Sequence, residues 1–208
     1  MLPQFLLEIQ NFLQKNELVL ESKTRDGRIN SALNEDNLVN LISSQFDIIY
    51  PKKRDWFDFA FEIGGVFYPV NIKITKLSTD NLNCKLGIYY ALTGKIPHFD
   101  NEVRWKALFE ALKQNLEPNS KDYYFLIINK ENTKDIFSTS LKQLFVLTPN
   151  GNNPPFQANW AKNRILVERD FEKAKDFLLS AISASFGLRA KAYSEFLEFF
   201  PEFKGQND

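Results

Sequence analysis

Near the start of the chain, Phe5, Leu6, Ile9, Phe12 and Leu13 recur at the spacing of one helical face. They predict a helix over residues 3–15, with Pro3 suited to its first turn. A second helix is predicted over 31–45, where Leu38, Leu41 and Ile42 line one side and Glu35 and Asp36 fall in the first turns. The pattern then changes period. Residues 54–62 and 66–75 read as two strands joined by Gly64-Gly65, a strong hairpin signal. Residues 87–92 are apolar and short, a strand or a buried helix. Asp100 predicts the cap of a helix reaching Leu116, with Val103, Ala107, Leu108, Ala111 and Leu112 facing inward. The continuous apolar run 123–129 predicts a strand buried on both faces, and a further strand is expected near 143–147. A turn-rich loop over 149–164 leads to a helix capped by Asp170 and ending near Ser185, then to a last helix over 188–199. The terminal Gly-Gln-Asn-Asp is expected to fray. The sum is one α/β domain, a mixed central β-sheet flanked by helices on both faces.

A length of 208 residues fits one domain with a sizeable core. With 20 phenylalanines, aromatic packing is expected to dominate that core. Lys+Arg and Asp+Glu number 26 each, so bulk positive charge cannot hold a nucleic acid. Any such binding must rest on cations gathered on one face. One cysteine, Cys84, excludes an internal disulfide and a zinc site of several thiolates, and reads as a small buried filler. His98 is the only histidine and reads as a surface or packing residue. A hydrolytic centre must therefore use carboxylates, lysine and a hard cation. The amphipathic start lacks the features of a signal peptide, and no segment reaches transmembrane length. A cytoplasmic location and no membrane partner are expected.

The stretch 55–73 carries the chemistry. Asn71 and Lys73 are two apart on the second strand and share a face, while Ile72 points to the other layer. The hairpin brings the first strand alongside, so Asp58 is expected near Asn71. Asp55 is its rival, on the opposite face of a regular strand. Asp58 and the Asn71 side-chain oxygen suit Mg²⁺, with the Ile72 carbonyl as a third metal ligand. Lys73 suits the orientation of an attacking water and the charge developing on a phosphate.

Asp58 followed by Asn71-Ile72-Lys73 on the neighbouring strand resembles the signature of the PD-(D/E)xK nucleases. The runs NIKITKLSTDNLNCKLGIYYALTG and SLKQLFVLTPNGNNPPFQANWAKN resemble segments of type II restriction endonucleases. The resemblance implies a single endonuclease domain over 1–208 with a restriction-endonuclease-like fold. It implies a catalytic core at about 30–130 and a DNA-recognition segment at about 138–165. It implies a Mg²⁺-dependent type II site-specific deoxyribonuclease acting on double-stranded DNA as a homodimer, two subunits matching the two strands of a palindrome. Glu35 matches the helical acid of many members, with Asp36 as its competitor and a solvated helix-start charge as the plain alternative. The chain departs from the family at Asn71, where an acid is usual. Three readings stay open: a natural variant, an acid moved to Glu62 or Asp80, or an inactivating Asp→Asn substitution.

The recognition segment is rich in groups that read base edges: Gln143, Asn150, Asn152, Asn153, Gln157, Asn159, Lys162, Asn163 and Arg164. The same composition serves any turn-rich loop. Lys52-Lys53-Arg54 reads equally as a solvated turn or a phosphate contact. Phe156 and Trp160 read as anchors of the loop. Rival functions are a repair or junction-resolving nuclease, a non-catalytic DNA-binding protein on a decayed nuclease core, and a plain α/β interaction protein.

Overall fold

The structure is a computed structural model that describes residues 2–16, 18, 20, 27–52, 55–99 and 103–205, with backbone only for 27–32. Helix α1 (Gln4–Lys15) buries Leu6, Ile9 and Leu13, the stripe that the sequence predicts. Helix α2 (Gly27–Ser43) begins four residues earlier than expected and buries Leu38, Val39 and Ile42. Both pack on one face of the main sheet, with Phe59, Phe61, Val70, Ile72, Tyr124, Leu126 and Ile128.

Strands β1 (Phe59–Ile63) and β2 (Val66–Thr75) form the hairpin. Gly64 and Gly65 join them with φ of 58° and 75°, conformations that glycine adopts at no steric cost. Strand β1 starts later than the predicted residue 54. Asp55 instead accepts the backbone N–H of Lys52 at 2.6 Å and closes a turn, and residues 56–58 bend into the strand. Lys53 and Arg54 lie outside the described residues.

Strand β2 is followed by β3 (Thr79–Leu82), α3 (Lys85–Thr93) and α4 (Trp105–Asn115). The chain then returns as β4 (Tyr124–Asn129), parallel to β2. Next, β5 (Ile136–Ser140) pairs antiparallel to β4, giving the order β1-β2-β4-β5. Central β4 is the predicted doubly buried strand: Phe125 and Ile127 face a second core cluster that includes residues of α3 and α4. Residues 87–92 are therefore helical. In α4, Leu108 and Leu112 are buried, but Ala107 is exposed, contrary to expectation. The Asp100 cap lies outside the described residues.

The C-terminal third departs most from the sequence pattern. Residues 143–147 do not form the expected strand: 141–143 are a 3₁₀ turn, Leu144 makes one isolated bridge to Leu166, and the strand is β5, just before them. The turn-rich loop contains β6 (Thr148–Pro149) and β7 (Phe156–Asn159). With β3 these make a second sheet, in the order β3-β7-β6. Asp170 caps α5 (Phe171–Phe199) by accepting the Lys173 N–H at 2.8 Å. Helix α5 runs on without the expected break. Gly187 within it costs about 1 kcal/mol relative to alanine, too little to end a helix of 29 residues. Residues 206–208 of the expected frayed end lie outside the described residues. Among the described residues, no helix is long and apolar enough to cross a membrane.

Candidate active site

Asp58 lies just before β1, where the hairpin pairing ends at Phe59 opposite Val70. Its backbone N–H donates to the Val70 carbonyl at 2.9 Å, which keeps it in register with β2. Its Oδ2 accepts two hydrogen bonds, from Asn71 Nδ2 at 2.8 Å and from the Ile72 N–H at 2.6 Å. Asp58 and Asn71 thus meet as the sequence predicts, and Asp55, exposed on its turn, takes no part.

Lys73 is half-buried on the same face of β2 as Asn71. No hydrogen bond or ion pair holds its ammonium among the described residues. Its charge reaches Asp58, which four influences act on. Burial raises the carboxyl pKa, the Ile72 N–H and the Lys73 charge lower it, and the Asp36 charge raises it again, with a net upward shift. From α2, the Asp36 charge acts on Asp58. Glu35 is half-buried beside it on the same helix. Glu62 is exposed at the far end of the hairpin, opposite Phe67 and four residues or about 13 Å along β1. Asp80 is better placed, because its Oδ2 accepts the Thr75 hydroxyl at 2.6 Å. Along β2, Lys73 therefore lies between the Asp58–Asn71 pair and the Thr75–Asp80 pair.

Two neighbours shape this corner. Tyr123 stacks on Trp56 at 5.6 Å and donates its hydroxyl to the Trp56 carbonyl at 2.6 Å, holding the segment that delivers Asp58. Gly87 gives that ring room, since a Cβ there would lie 2.5 Å from it. Cys84 is the buried filler expected, its thiol pushed up to about 12 by burial. It is protonated at neutral pH and is no nucleophile.

Among the described residues, no group of three or more His, Cys, Asp and Glu is placed to hold a metal ion. A cation here would rest on one carboxylate and neutral oxygens. Asp58 Oδ1 carries none of the bonds made to Oδ2. In a strand, a residue's N–H and C=O point to the same side, so the Ile72 carbonyl faces the edge where its N–H meets Asp58. The Asn71 oxygen is the third donor, and its NH₂ is turned to Asp58. This set suits Mg²⁺, which keeps several waters and leans on one or two carboxylates plus substrate phosphate.

The raised Asp58 pKa has a consequence for stability. A carboxyl whose pKa is higher in the folded than in the unfolded chain contributes most below the ordinary value of 3.8, and that contribution is lost as pH rises through the folded value. In metal-free buffer, Asp58→Asn should therefore raise the melting temperature at pH 7, and the gain should vanish near pH 4. Melting curves of both proteins at the two pH values check this. An equal gain at both would mean that the Asp58 charge is not what destabilises the site.

The amide-rich segment divides in two. Gln143 is buried, its Oε1 accepting the Ser140 hydroxyl at 3.0 Å. Asn163 is fully buried and bonds Val146 twice, accepting its N–H at 2.9 Å and donating to its carbonyl at 3.1 Å. Both polar atoms of the Asn163 amide are thus taken up inside the fold, and the Gln143 oxygen is taken up by Ser140. Arg164 donates from Nη2 to both carboxylate oxygens of Asp135, at 2.6 and 2.7 Å, and lies over Phe137. Trp160 and Phe156 are fully buried anchors, as expected.

The other residues gather on the second sheet. Thr79 pairs with Asn159 and Asn81 with Gln157, so four polar side chains share one face. Asn150 and Gln157 both donate to Asn81 Oδ1, at 2.8 and 3.1 Å, and Asn159 donates to Thr79 Oγ1 at 3.1 Å. Asn152, Asn153 and Lys162 are exposed nearby in sequence. Asn81 and Thr79 did not stand out in the sequence, although their alternation with Asp80 and Leu82 is a half-buried strand pattern. No family model, curated protein or solved structure matches the chain.

Proposed function

We propose that the protein is a Mg²⁺-dependent endonuclease of the PD-(D/E)xK type that cleaves double-stranded DNA at a short specific sequence, as type II restriction enzymes do. The observation that carries this reading is the convergence of Asp58, Asn71 and Lys73 where β1 meets β2, with Lys73 unpaired among the described residues. Asp58, the Asn71 side-chain oxygen and the Ile72 carbonyl would hold the cation. When bound, Mg²⁺ would supply charge neutralisation at the scissile phosphate and a more acidic water. Lys73 would orient the attacking water and stabilise negative charge growing on the phosphate. Glu35 or Asp36 would hold further water at the edge of the site. The polar face of β3 and β7, with Asn81, Gln157 and Asn159, would meet base edges, since asparagine and glutamine pair with adenine in the major groove. Two copies acting together would cut both strands.

One observation favours a second reading. The Asn71 NH₂ is engaged by Asp58, and a single carboxylate is a weak metal site. A non-catalytic DNA-binding protein on a decayed nuclease core would look the same. Incubation of plasmid DNA with the protein and Mg²⁺ separates the two. Discrete fragments are expected. A gel shift without cutting supports the second reading, a smear or junction-selective cutting points to another nuclease, and neither shift nor cutting removes DNA from the account.

A further inference from the structure

The edge of the main sheet beyond β5 holds charge that the candidate active site does not use. It is the edge away from β1 in the order β1-β2-β4-β5. Asp122 lies shortly before β4, and Lys142 and Gln143 lie in the 3₁₀ turn after β5. All three are only 7% or 8% exposed. With the half-buried Arg169 they line a cavity of about 320 Å³.

A charged group inside a fold needs partners that offset its lost hydration. The Asp122 carboxylate has them. Its Oδ1 accepts the Tyr123 N–H at 2.8 Å, and both oxygens accept the Lys142 N–H, at 3.2 and 3.3 Å. Burial still raises its pKa, against the Ser140 hydroxyl, the Lys142 charge and these N–H groups. The two cations have only neutral partners. Lys142 Nζ donates to the carbonyls of Lys121 at 2.7 Å and Asn119 at 3.1 Å, with the Asn119 side-chain oxygen at 3.5 Å, and lies 5.4 Å over the Phe171 ring. Arg169 Nη1 donates to the carbonyls of Lys142 and Leu144 at 3.0 and 2.8 Å, and the guanidinium lies 3.9 Å over Phe177. Neither cation makes an ion pair among the described residues. Burial lowers the pKa of both, with the Asp122 charge acting the other way on Lys142. Donors are left over as well. Arg169 Nη2 and Nε carry no hydrogen bond among the described residues, nor does the Gln143 NH₂, whose own oxygen accepts the Ser140 hydroxyl.

We propose that this cavity binds the phosphate group of a small molecule, held by Lys142, Arg169 and the Gln143 amide. A guanidinium edge with two free donor groups, an ammonium and an amide NH₂ suit an anion with three oxygens to share among them. The volume lies at the lower end of the range for small-ligand sites, so it takes a phosphate with a short organic body beside the Phe171 ring. The cations line a recess of this size, whereas a duplex backbone lies along cations on an open face. Glu168 also borders the cavity, but it is exposed, and solvent screens its repulsion of an anion. The site rests on no part of the nuclease reading and lies across the sheet from Asp58.

Titration calorimetry of the full chain with inorganic phosphate and with phenyl phosphate, at fixed ionic strength, tests it. Saturable binding of both is expected, tighter for phenyl phosphate because its ring can lie on Phe171. Ser120 and Glu168 border the cavity, are exposed, and make no side-chain hydrogen bond among the described residues. Their substitution changes the local charge and leaves the fold alone, so near-ultraviolet circular dichroism should not change. Ser120→Glu should weaken binding about fivefold, and Glu168→Gln should strengthen it by up to about the same factor, the effect of one charge near contact in water. Failure of both probes to bind overturns the proposal, as does binding indifferent to the two variants. Changes of the opposite sign would make the ligand a cation and overturn it too. Displacement of phosphate by a short DNA duplex would put the cavity on a DNA path and overturn the small-molecule assignment.

Discussion

Lys73→Ala is expected to cut DNA at least about 100-fold more slowly than the parent protein, the scale seen when one preorganised donor to a developing oxyanion is removed. The case for so large an effect rests on the ammonium. Lys73 is half-buried, its charge reaches Asp58, and no hydrogen bond or ion pair among the described residues holds it. Its removal should therefore leave the fold intact. Affinity for DNA should stay nearly unchanged, because one positive charge is a small part of phosphate binding, and the salt dependence should shallow by about one counterion. Fragment formation by gel and affinity by fluorescence anisotropy at several salt concentrations separate the two effects. Near-normal cleavage would remove Lys73 from the mechanism, and loss of binding in proportion to cleavage would make it an ordinary phosphate contact.

Asn71→Asp is expected to move stability and metal dependence in opposite directions. The parent amide donates to Asp58 at 2.8 Å. A carboxylate there loses that bond and sets two acids side by side next to a carboxyl already burdened by burial. Without metal the loss should be about 1–3 kcal/mol, or several degrees of melting temperature for a chain of this size. Mg²⁺ should reverse it, because the second charge turns a weak site into a two-carboxylate one. Cleavage should be kept or raised, with the Mg²⁺ midpoint lowered at least about tenfold, since an added carboxylate at contact distance attracts a divalent cation by about 2 kcal/mol even at the dielectric of bulk water. If the parent protein binds but does not cut, the variant should gain cutting. Melting curves with EDTA and with Mg²⁺, beside a Mg²⁺ titration of cleavage, give the answer. Should neither melting nor metal dependence change, residue 71 is not a ligand. Asp80, across Lys73 along β2, then becomes the better acid, since Glu62 sits at the wrong end of the hairpin.

Much of the corner proposed to carry this chemistry is legible in the amino-acid sequence. The stripe of Leu6, Ile9 and Leu13, the Gly64-Gly65 turn, the apolar run of β4 and the Asp170 cap are local features, set by steric and hydrogen-bonding preferences over a few residues. The period of two along a strand places Asn71 and Lys73 on one face whatever the strand packs against. A two-residue glycine link fixes the register that brings Asp58 to Asn71. What the sequence could not decide depends on distant partners. The segments Thr79–Leu82 and Phe156–Asn159 are weak strands singly and hold because each supplies the other's ladder across the whole crossover. The bonds that bury Gln143 and Asn163 cannot be told from those of a base-reading loop by residue type, because the same amides serve both uses. How near Glu35 and Asp36 each come to Asp58 is a matter of how α2 is rotated on the sheet, and that rotation is set by which of its side chains fill the core. Only the packed structure decides such cases, because their free energy lies in contacts between residues far apart in sequence.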